Sequence, residues 1–382
     1  MEQTREKTEN KRGEEEERLP VTYEGKWIYD ILLESSYDGI LEELERIGYK
    51  KNIKICIVTD SNVQKVYEET LKSHLLERFD TVKTFVFEAG EKSKTLDTIQ
   101  KLYEYLIINK FERGDLLLAL GGGVVGDMTG YAAATYLRGI DFIQIPTTLL
   151  AQVDSSVGGK TGVDFAQYKN MVGAFKQPRL VYINLNVLKS LPEKQFASGM
   201  AEALKSGWIQ DREYSLFLEK YQKEIQSISY EQIRNTVSGS CRIKRDVVQK
   251  DPLEHGERAL LNFGHTIGHA IEKLSDFSLY HGECVALGMV AAAQISWKKG
   301  NIEKKDLERI EQMLLSYHLP IHLDVELKQK INAKDILSAT KSDKKMENGQ
   351  IKFVLLQEIG KAYLSRDISD EMLLDGIHYI LD

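Results

Sequence analysis

Short apolar runs alternate with helical patterns through the first half of the chain. The runs IKICIVTD, TVKTFVFEAG, DLLLALGGG, DFIQIPTT and RLVYINL are rich in Val, Ile, Leu and Phe, and TLDTIQKLYEYLIINK between them has helical spacing. Strands that are apolar on both faces are typical of a mainly parallel sheet with helices packed against it. The pattern therefore predicts an α/β domain over residues 20–190.

The second half of the chain has a different pattern. After Pro192, long amphipathic segments such as EYSLFLEKYQKEIQSI and YEQIRNTVSGSCRIKRDVV follow one another. They predict a mainly α-helical domain over residues 191–382, with one exception near the end, where GQIKFVLLQEIGKAYL predicts a small β-hairpin. The length of 382 residues also favours two domains, because single cores rarely grow beyond about 300 residues.

Composition and charge narrow the classes of partner. The net charge of -7 argues against nucleic-acid binding, which needs a clustered surplus of Lys and Arg. No apolar run reaches the length of a membrane span, and the first residues lack the apolar centre of a signal peptide. Cys56, Cys241 and Cys284 are far apart, which is typical of buried thiols in a reducing compartment. We therefore expect a cytoplasmic protein without nucleic-acid or membrane partners, and a disordered charged tail over the almost wholly polar residues 1–19.

A glycine cluster directly follows one predicted strand. Gly121, Gly123 and Gly126 satisfy GxGxxG, in which glycines let the backbone approach a pyrophosphate at the N-terminus of the next helix. Tight strand-to-helix packing alone also explains such glycines. Asp127 would either cap the helix or contact the nicotinamide end of a dinucleotide.

Polar residues also follow two other predicted strands. Asp60 and Asn62 lie at a carboxyl strand end, where Asp suits a ribose hydroxyl pair, although a helix N-cap is an equally good interpretation. Thr147 and Thr148 could bond a cofactor or simply turn the chain.

The segment AQVDSSVGGKTGVDFAQYKNMVGAF predicts a binding loop, because polar and small residues crowd it while Val, Met and Phe recur. Its candidate contacts are Asp154, Lys160, Lys169 and Asn170, and Lys160 is well placed to meet an anion.

Four of the eight histidines fall between positions 255 and 281. His265 and His269 are four residues apart and share a helix face, but HTIGH lacks the Glu of the zinc-protease motif HExxH. With His281 and a further ligand, for which Glu202 is the natural candidate, they predict a catalytic metal site with open positions.

Cations and amides surround this histidine cluster in the sequence. Lys205, Lys244, Arg258 and Asn262 suit a carboxylate and a phosphate. Glu254, one turn before Arg258, could be its ion-pair partner or a proton acceptor.

At this point the sequence resembles a known family. The blocks GGGVVGDMTGYAAATYLRG, IPTTLLAQVDSSVGGKTGVD, KNMVGAF, GMAEALKSG, ALLNFGHTIGHAIE and HGECVALGM resemble, in order, those of the 3-dehydroquinate synthases. The resemblance implies a Rossmann-like NAD-binding α/β domain followed by a mostly helical domain, and a homodimer.

The resemblance also implies a role for individual residues. The metal, zinc or cobalt, would be held by Glu202, His265 and His281, and proton transfer would involve His269 and Glu254. The NAD contacts would be Asp60, Asn62, Glu91, Lys94, Gly122, Gly123, Val124, Asp127, Thr147, Thr148 and Lys169. The substrate contacts would be Asp154, Lys160, Asn170, Lys205, Lys244, Arg258, Asn262, either Lys344 or Lys345, and Arg138 reaching the phosphate from the neighbouring subunit.

The activity implied is the conversion of a phosphorylated sugar acid, 3-deoxy-D-arabino-heptulosonate 7-phosphate, to 3-dehydroquinate and phosphate in the shikimate pathway. Such an enzyme is a carbon–oxygen lyase that oxidises its substrate transiently with NAD. The alternatives are another sugar-phosphate cyclase, a metal-dependent alcohol or glycerol dehydrogenase, and an inactive homologue retained for binding. The presence of Asn170, Arg258 and His269 favours the dehydroquinate product.

Overall fold

The computed structural model describes residues 17–166, 168–254, 256–276, 278–342, 346–347 and 350–382. Lys344 and Lys345 therefore lie outside the described residues. The chain divides into two compact units, with the boundary between Lys189 and Ser190, one residue before the predicted one. We call them the sheet unit and the helical unit.

The sheet unit is built on seven strands. Their bounds are β1 (Glu17–Tyr23), β2 (Lys26–Glu34), β3 (Lys54–Asp60), β4 (Thr81–Phe87), β5 (Leu116–Gly121), β6 (Asp141–Pro146) and β9 (Leu180–Asn184). They are ordered β1-β2-β9-β6-β5-β3-β4 across the sheet. All neighbours pair in parallel except β1, which is antiparallel to β2 at the edge. The predicted parallel sheet is confirmed.

Helices cover both faces of this sheet. The segments α1 (Ile40–Arg46) and α2 (Glu69–Leu76) pack on the face that carries Ile55 and Ile57. On the other face, α3 (Leu96–Ile108) and α4 (Gly123–Thr135) pack against Cys56 and Val58. Alternate residues of one strand thus enter opposite cores, which explains why the strands are apolar throughout.

The predicted disordered tail over residues 1–19 is wrong at its end, because β1 begins at Glu17. Leu19 is buried, and Arg18 donates to Asp30 over 3.1 Å and to Glu43 over 2.8 Å. These long-range ion pairs order a segment whose own composition is polar, so local sequence could not indicate the strand.

The predicted binding loop is mostly a hairpin. A π-helical turn, Ala151–Ser155, is followed by β7 (Lys160–Phe165) and β8 (Tyr168–Phe175), which pair with each other in antiparallel fashion. Two of its glycines allow the strands to approach each other closely. A Cβ at Gly162 would lie 2.8 Å from the Val172 carbonyl oxygen, and a Cβ at Gly173 would lie 2.4 Å from the Thr161 carbonyl oxygen. These small residues therefore mark packing, not a loop.

The helical unit contains α5 to α14 and two short hairpins. The helices are α5 (Glu193–Gln210), α6 (Arg212–Lys220), α7 (Gln222–Gln226), α8 (Tyr230–Lys250), α9 (His265–Leu274), α10 (His281–Lys298), α11 (Lys304–Ser316), α12 (Val325–Lys330), α13 (Ala333–Ser342) and α14 (Asp370–Leu381). The hairpins pair β10 (Met346–Glu347) with β11 (Gln350–Ile351), and β12 (Phe353–Glu358) with β13 (Lys361–Ser365). Both the helical character of this half and its hairpin near the end are confirmed.

The centre of the helical unit is α10, which is buried from Cys284 to Ser296. A helix that is small or apolar on every side belongs in a core. It packs against α9, α5, α14 and α11. A Cβ at Gly288 would lie 1.9 Å from the Gly264 carbonyl oxygen, and one at Gly282 would lie 2.3 Å from that of Ser198. Glycine is therefore required where α10 meets α9 and α5.

Two further expectations can be compared with the described residues. Cys56, Cys241 and Cys284 are free, buried thiols, as predicted. Among the described helices, none combines the length and the apolar character that a membrane crossing requires.

Candidate active site

The helical unit brings together a carboxylate and two imidazoles from three helices. Glu202 of α5 is buried, and its Oε1 lies 3.6 Å from Nε2 of His265 on α9 and 3.5 Å from Nε2 of His281 on α10. One donor atom from each residue lies within 4.8 Å of the others. We call these three residues the histidine cluster.

These separations fit a metal ion better than they fit hydrogen bonds. Two ligands at about 2.1 Å from a tetrahedral zinc are about 3.4 Å apart, close to both distances to Glu202 Oε1. Hydrogen bonds between such groups are shorter, at about 2.7 to 3.0 Å. One carboxylate with two imidazoles is a donor set that suits zinc or cobalt, and it leaves positions open for substrate.

One contact indicates which nitrogen of a neutral His265 carries the proton. Its Nδ1 lies 3.2 Å from the Phe263 carbonyl oxygen, which can only accept a hydrogen bond. The proton therefore sits on Nδ1, and Nε2 presents its lone pair toward Glu202. Lys205, one turn further along α5, donates from Nζ to the other oxygen of Glu202. This contact neutralises part of the carboxylate charge and restrains its orientation.

A third histidine and a second carboxylate lie beside this cluster. The ring of His269 is 5.1 Å from that of His265 and 6.0 Å from that of His281, measured between centroids. Glu272 is buried, and its Oε1 lies 3.7 Å from Nδ1 of His281. Burial would lower the pKa of His281, but the nearby carboxylates of Glu202 and Glu272 outweigh it and raise the pKa to about 9.

Glu272 was not among the residues predicted from the sequence. It follows His265 and His269 at the i, i+4, i+7 spacing that places three residues on one helix face. That spacing is present within HTIGHAIE, but a helical Glu is normally exposed, so the spacing alone did not indicate a site.

The predicted anion-binding residues of this unit lie on α5, α8 and the 3-10 turn Glu257–Asn262. The side chains of Lys205, Lys244 and Arg258 are all buried. Nη1 of Arg258 donates to the Pro252 carbonyl oxygen over 2.6 Å. Asn262 donates from Nδ2 to Glu254 over 3.2 Å, so the proposed proton acceptor is tied to a proposed substrate contact.

In the sheet unit, Lys94 forms the centre of a second polar group. Its buried ammonium donates to Asp127 over 2.6 Å and to Asn170 on β8 over 2.5 Å. Lys169 lies 3.5 Å from Glu91, which itself lies 3.9 Å from Lys94. Burial would lower the pKa of Lys94, but the neighbouring carboxylates outweigh it and raise the pKa. Five predicted contact residues thus meet, although they are spread over 80 positions of the chain.

Asp164 on β7 belongs to the same group and was also missed. Its carboxylate accepts from the Asn170 backbone N–H over 2.8 Å, and its own N–H donates to the Lys94 carbonyl over 2.9 Å. Burial raises the pKa of the Asp164 carboxyl. The contact supports the left-handed backbone of Asn170, whose φ is 51°.

The glycine cluster forms the turn between β5 and α4. Gly122 is the N-cap of α4 and Gly123 its first residue, so the capping interpretation of Asp127, four residues further on, is wrong. A Cβ at Gly121 would lie 2.4 Å from Val125, and one at Gly126 would lie 2.7 Å from Gln144, so these two glycines are required for packing.

Other predicted contacts lie around the same edge of the sheet. Oδ1 of Asp60 accepts from the backbone N–H groups of Asn62 and Val63 over 2.8 and 3.0 Å and so holds the turn after β3, but the N-cap of the helical turn that follows is Val63. The buried Thr147 hydroxyl makes no hydrogen bond within the described residues. Thr148, Val124, Asp154 and the exposed Lys160 lie in or next to the turns that follow β5 and β6. Arg138 is exposed in the 3-10 turn after α4.

Solved structures show which class this fold belongs to. The chain superimposes on a 2-epi-5-epi-valiolone synthase from Streptomyces hygroscopicus with a TM-score of 0.84 and 24% identity, covering 95% of this chain and 99% of that one. A 2-deoxy-scyllo-inosose synthase gives 0.85 and 24%, covering 96% and 100%. The protein therefore has the fold of the sugar-phosphate cyclases.

Sequence relatives identify the family within that class. Models of the 3-dehydroquinate synthase N-terminal and C-terminal regions match residues 84–198 and 199–346. The 3-dehydroquinate synthase of Prochlorococcus marinus (strain MIT 9312) is 41% identical over 354 residues, covering 92% of this chain and 96% of that protein. That of Acetivibrio thermocellus is 42% identical over 349 residues, covering 91% and 95%. The chain belongs to the 3-dehydroquinate synthase family, and the predicted resemblance is confirmed.

Proposed function

We propose that the protein is a 3-dehydroquinate synthase that converts 3-deoxy-D-arabino-heptulosonate 7-phosphate to 3-dehydroquinate and phosphate. The observation that carries this proposal is family membership over nine-tenths of the chain together with an intact carboxylate and imidazole group in the helical unit. An inactive homologue would have no reason to keep three ligands at these separations.

The histidine cluster is the proposed metal site. A divalent zinc or cobalt ion held there would polarise the substrate oxygen atoms that are oxidised and reduced. The valiolone synthase named above has Zn²⁺ bound and the inosose synthase Co²⁺, which supports these two metals. Lys205 restrains the Glu202 carboxylate, and the Phe263 carbonyl fixes the His265 tautomer, so the chain itself prepares the donor atoms.

The sheet unit provides the proposed NAD site. Its strand order changes direction between β3 and β5, and ligands of open α/β sheets bind outside the carboxyl ends at such a point. Asp60 ends β3, and the glycine turn that follows β5 leads into the 13-residue α4. The N-terminus of that helix suits a pyrophosphate, and the bound cofactor would accept and return a hydride.

The absence of side chains at Gly122 and Gly123 fits this assignment. A Cβ at Gly122 would lie 3.1 Å from Thr148 Cγ2, and one at Gly123 would lie 3.1 Å from Ser155 Oγ. The two glycines leave backbone N–H groups accessible where a pyrophosphate would approach. The remaining proposed NAD contacts are the buried hydroxyl of Thr147, which follows β6, and Lys94 with its neighbours Asp127, Glu91 and Lys169.

Buried cations provide the proposed substrate contacts. Lys205, Lys244 and Arg258 carry positive charge inside the helical unit, and such cations suit a bound carboxylate or phosphate. Asn262 would orient the substrate beside them. Lys160, Asp154 and Asn170 are the proposed contacts from the sheet unit, and either Lys344 or Lys345 would add a cation.

We propose two residues for proton transfer. The His269 imidazole lies beside both histidines of the metal site, so a proton at its ring can move to or from a substrate hydroxyl held there. Glu254, bound to Asn262, is the second candidate. Together they would handle the proton lost next to the oxidised carbon as phosphate leaves.

Assembly and location complete the proposal. We expect a homodimer in which Arg138, exposed on the sheet unit, contacts the substrate phosphate bound by the neighbouring subunit. We also expect the enzyme to act in the cytoplasm.

The decisive experiment measures phosphate release from the heptulosonate phosphate by purified protein with NAD and zinc or cobalt, and identifies the product by mass spectrometry. We expect 3-dehydroquinate, metal-dependent turnover and no net NADH, because the hydride returns to the product. Turnover only of a heptulose 7-phosphate or glucose 6-phosphate would assign the protein to a sister cyclase. Net NADH formation with a simple alcohol would instead indicate a dehydrogenase.

A further inference from the structure

Glu272 is a buried carboxylate for which the proposed reaction has so far no use. It lies on α9, on the face shared with His265 and His269, and its residue is only 4% exposed. Its Oε1 is 3.7 Å from Nδ1 of His281. A carboxylate buried this deeply is costly unless its charge has a partner.

His281 has a carboxylate opposite each ring nitrogen. Nε2 faces Glu202 over 3.5 Å, and Nδ1 faces Glu272 over 3.7 Å. A histidine that binds a metal is neutral, with one N–H and one lone pair, so only one of these nitrogens can bind the ion while the other keeps its proton.

The neighbouring His265 indicates which nitrogen of His281 binds the metal. Because the Phe263 carbonyl holds the His265 proton on Nδ1, the lone pair of His265 is on Nε2, on the side of Glu202. The metal side of the group is therefore the Glu202 side. His281 must then present Nε2 there and carry its proton on Nδ1, toward Glu272.

We propose that Glu272 is a positioning residue whose charge, 3.7 Å from Nδ1 of His281, favours the tautomer with the proton on Nδ1 and thereby leaves the Nε2 lone pair for the metal. This inference rests on the proposed metal site. A carboxylate behind a metal-binding histidine fixes the tautomer and ring orientation and makes the ligand more basic, and losing such a partner costs about 10- to 100-fold in metal affinity.

The competing role for Glu272 is direct metal binding. His269, Glu272 and His281 also place one donor atom each within 4.8 Å of one another, so a second ion could use the Nδ1 side. The two roles differ in stoichiometry, because a positioning residue leaves one ion per chain, whereas a ligand role adds a second.

The test uses two substitutions of similar size. Glu272→Gln removes the charge but keeps a polar oxygen on the Nδ1 side of His281, and Glu272→Met removes both. Glu43→Gln is the control, since Glu43 is an equally buried carboxylate in the sheet unit and lies outside the proposed site. Metal-depleted full-length proteins are titrated with Co²⁺ by competition with a chelator, and the Co²⁺ absorption spectrum reports the ligand geometry.

We expect one Co²⁺ per chain in every protein. The Met variant should bind it about 10- to 100-fold more weakly than the parent with an altered spectrum, the Gln variant should lie between them, and the control should match the parent. Equal affinity in the Met variant and the parent would overturn the proposal, as would two ions in the parent and one in both Glu272 variants. Tight Co²⁺ binding without turnover of the heptulosonate would refute the proposed function and leave this inference intact.

Discussion

The two units each hold a group of ionisable side chains built around buried carboxylates, but the groups are completed differently. In the sheet unit, Arg18 and Arg46 both donate to Asp30 and Glu43 over 2.7 to 3.1 Å. We call these four residues the arginine cluster. Its contacts are at hydrogen-bond distance, and it ties the β1–β2 edge of the sheet to α1.

The histidine cluster of the helical unit has a carboxylate facing two ring nitrogens at 3.5 and 3.6 Å. These distances are too long for good hydrogen bonds and match the separation of two ligands around one ion. The arginine cluster is therefore complete within the protein and stabilises the fold. The donor atoms of the histidine cluster are instead spaced to hold a metal ion between them.

The largest effect on metal binding and activity is expected from removing a ligand of the histidine cluster. His281→Ala removes one of three ligands, and we expect it to abolish metal binding and to lower kcat by about 1000-fold, since a metal ion supplies several kcal/mol of charge stabilisation. Metal titration and phosphate release measure the two effects. Glu43→Gln in the arginine cluster should leave both unchanged. Full activity of the His281 variant would refute the ligand assignment.

The next effect concerns the packing that brings these ligands together. Gly288→Ala would place a Cβ 1.9 Å from the Gly264 carbonyl oxygen, directly before His265. We expect α9 to be displaced from α10, with a loss of about 3 kcal/mol in the free energy of unfolding and weaker metal binding. Urea denaturation measures the loss. Gly114→Ala is the control, because a Cβ there meets nothing within 4 Å.

Much of the fold could be predicted because its causes are local. The central strands are apolar on both faces, and α6 and α8 are amphipathic, so pattern alone indicated them. The strand β1 could not be predicted, because Arg18 is ordered by Asp30 and Glu43, which are distant in sequence. The β7–β8 hairpin was missed because its glycines suggested a loop, whereas they allow the two strands to approach closely.

In the candidate site, too, the residues that lie close together in the sequence could be predicted, and those that meet only in the fold could not. His265, His269 and His281 lie within 17 positions, so their density along the chain is enough to predict a metal site. Without the family resemblance, no local pattern would have joined Lys94, Asp127 and Asn170, which meet only because the fold brings together the turn before α3, the helix α4 and the strand β8. The role that we assign to Glu272 depends on a contact distance, which a sequence does not contain.

A truncation tests how much the arginine cluster contributes to the sheet unit. Deleting residues 1–16 should leave activity and stability unchanged, since β1 begins at Glu17. Deleting residues 1–19 also removes Arg18 and the buried Leu19, and leaves Asp30 and Glu43 with Arg46 as their remaining arginine partner in the cluster. We expect the longer deletion to lose about 2 kcal/mol in the free energy of unfolding relative to the shorter one, below the usual cost of breaking a fully buried ion pair because Arg18 is partly exposed. Equal denaturation midpoints for the two deletions would mean that the cluster contributes little.

The smallest expected effect is the pH-dependent contribution of the arginine cluster to the free energy of unfolding. Burial would raise the pKa of Glu43, but hydrogen bonds and charges from Arg18 and Arg46 outweigh it and lower the pKa below the ordinary value of 4.5. A carboxyl with a lowered pKa in the folded state contributes stability that is fully present above its unfolded pKa and is lost as the pH falls through the folded value. Glu43→Gln should therefore cost about 1 kcal/mol at pH 7, and the difference from the parent should shrink below about pH 4.5.

Urea denaturation at several pH values measures this difference, with the exposed Glu77→Gln as control. A difference that shrinks only for Glu43 would show that the arginine cluster stabilises the fold through its charges. A constant difference would mean that Glu43 acts through hydrogen bonding that Gln cannot reproduce at any pH.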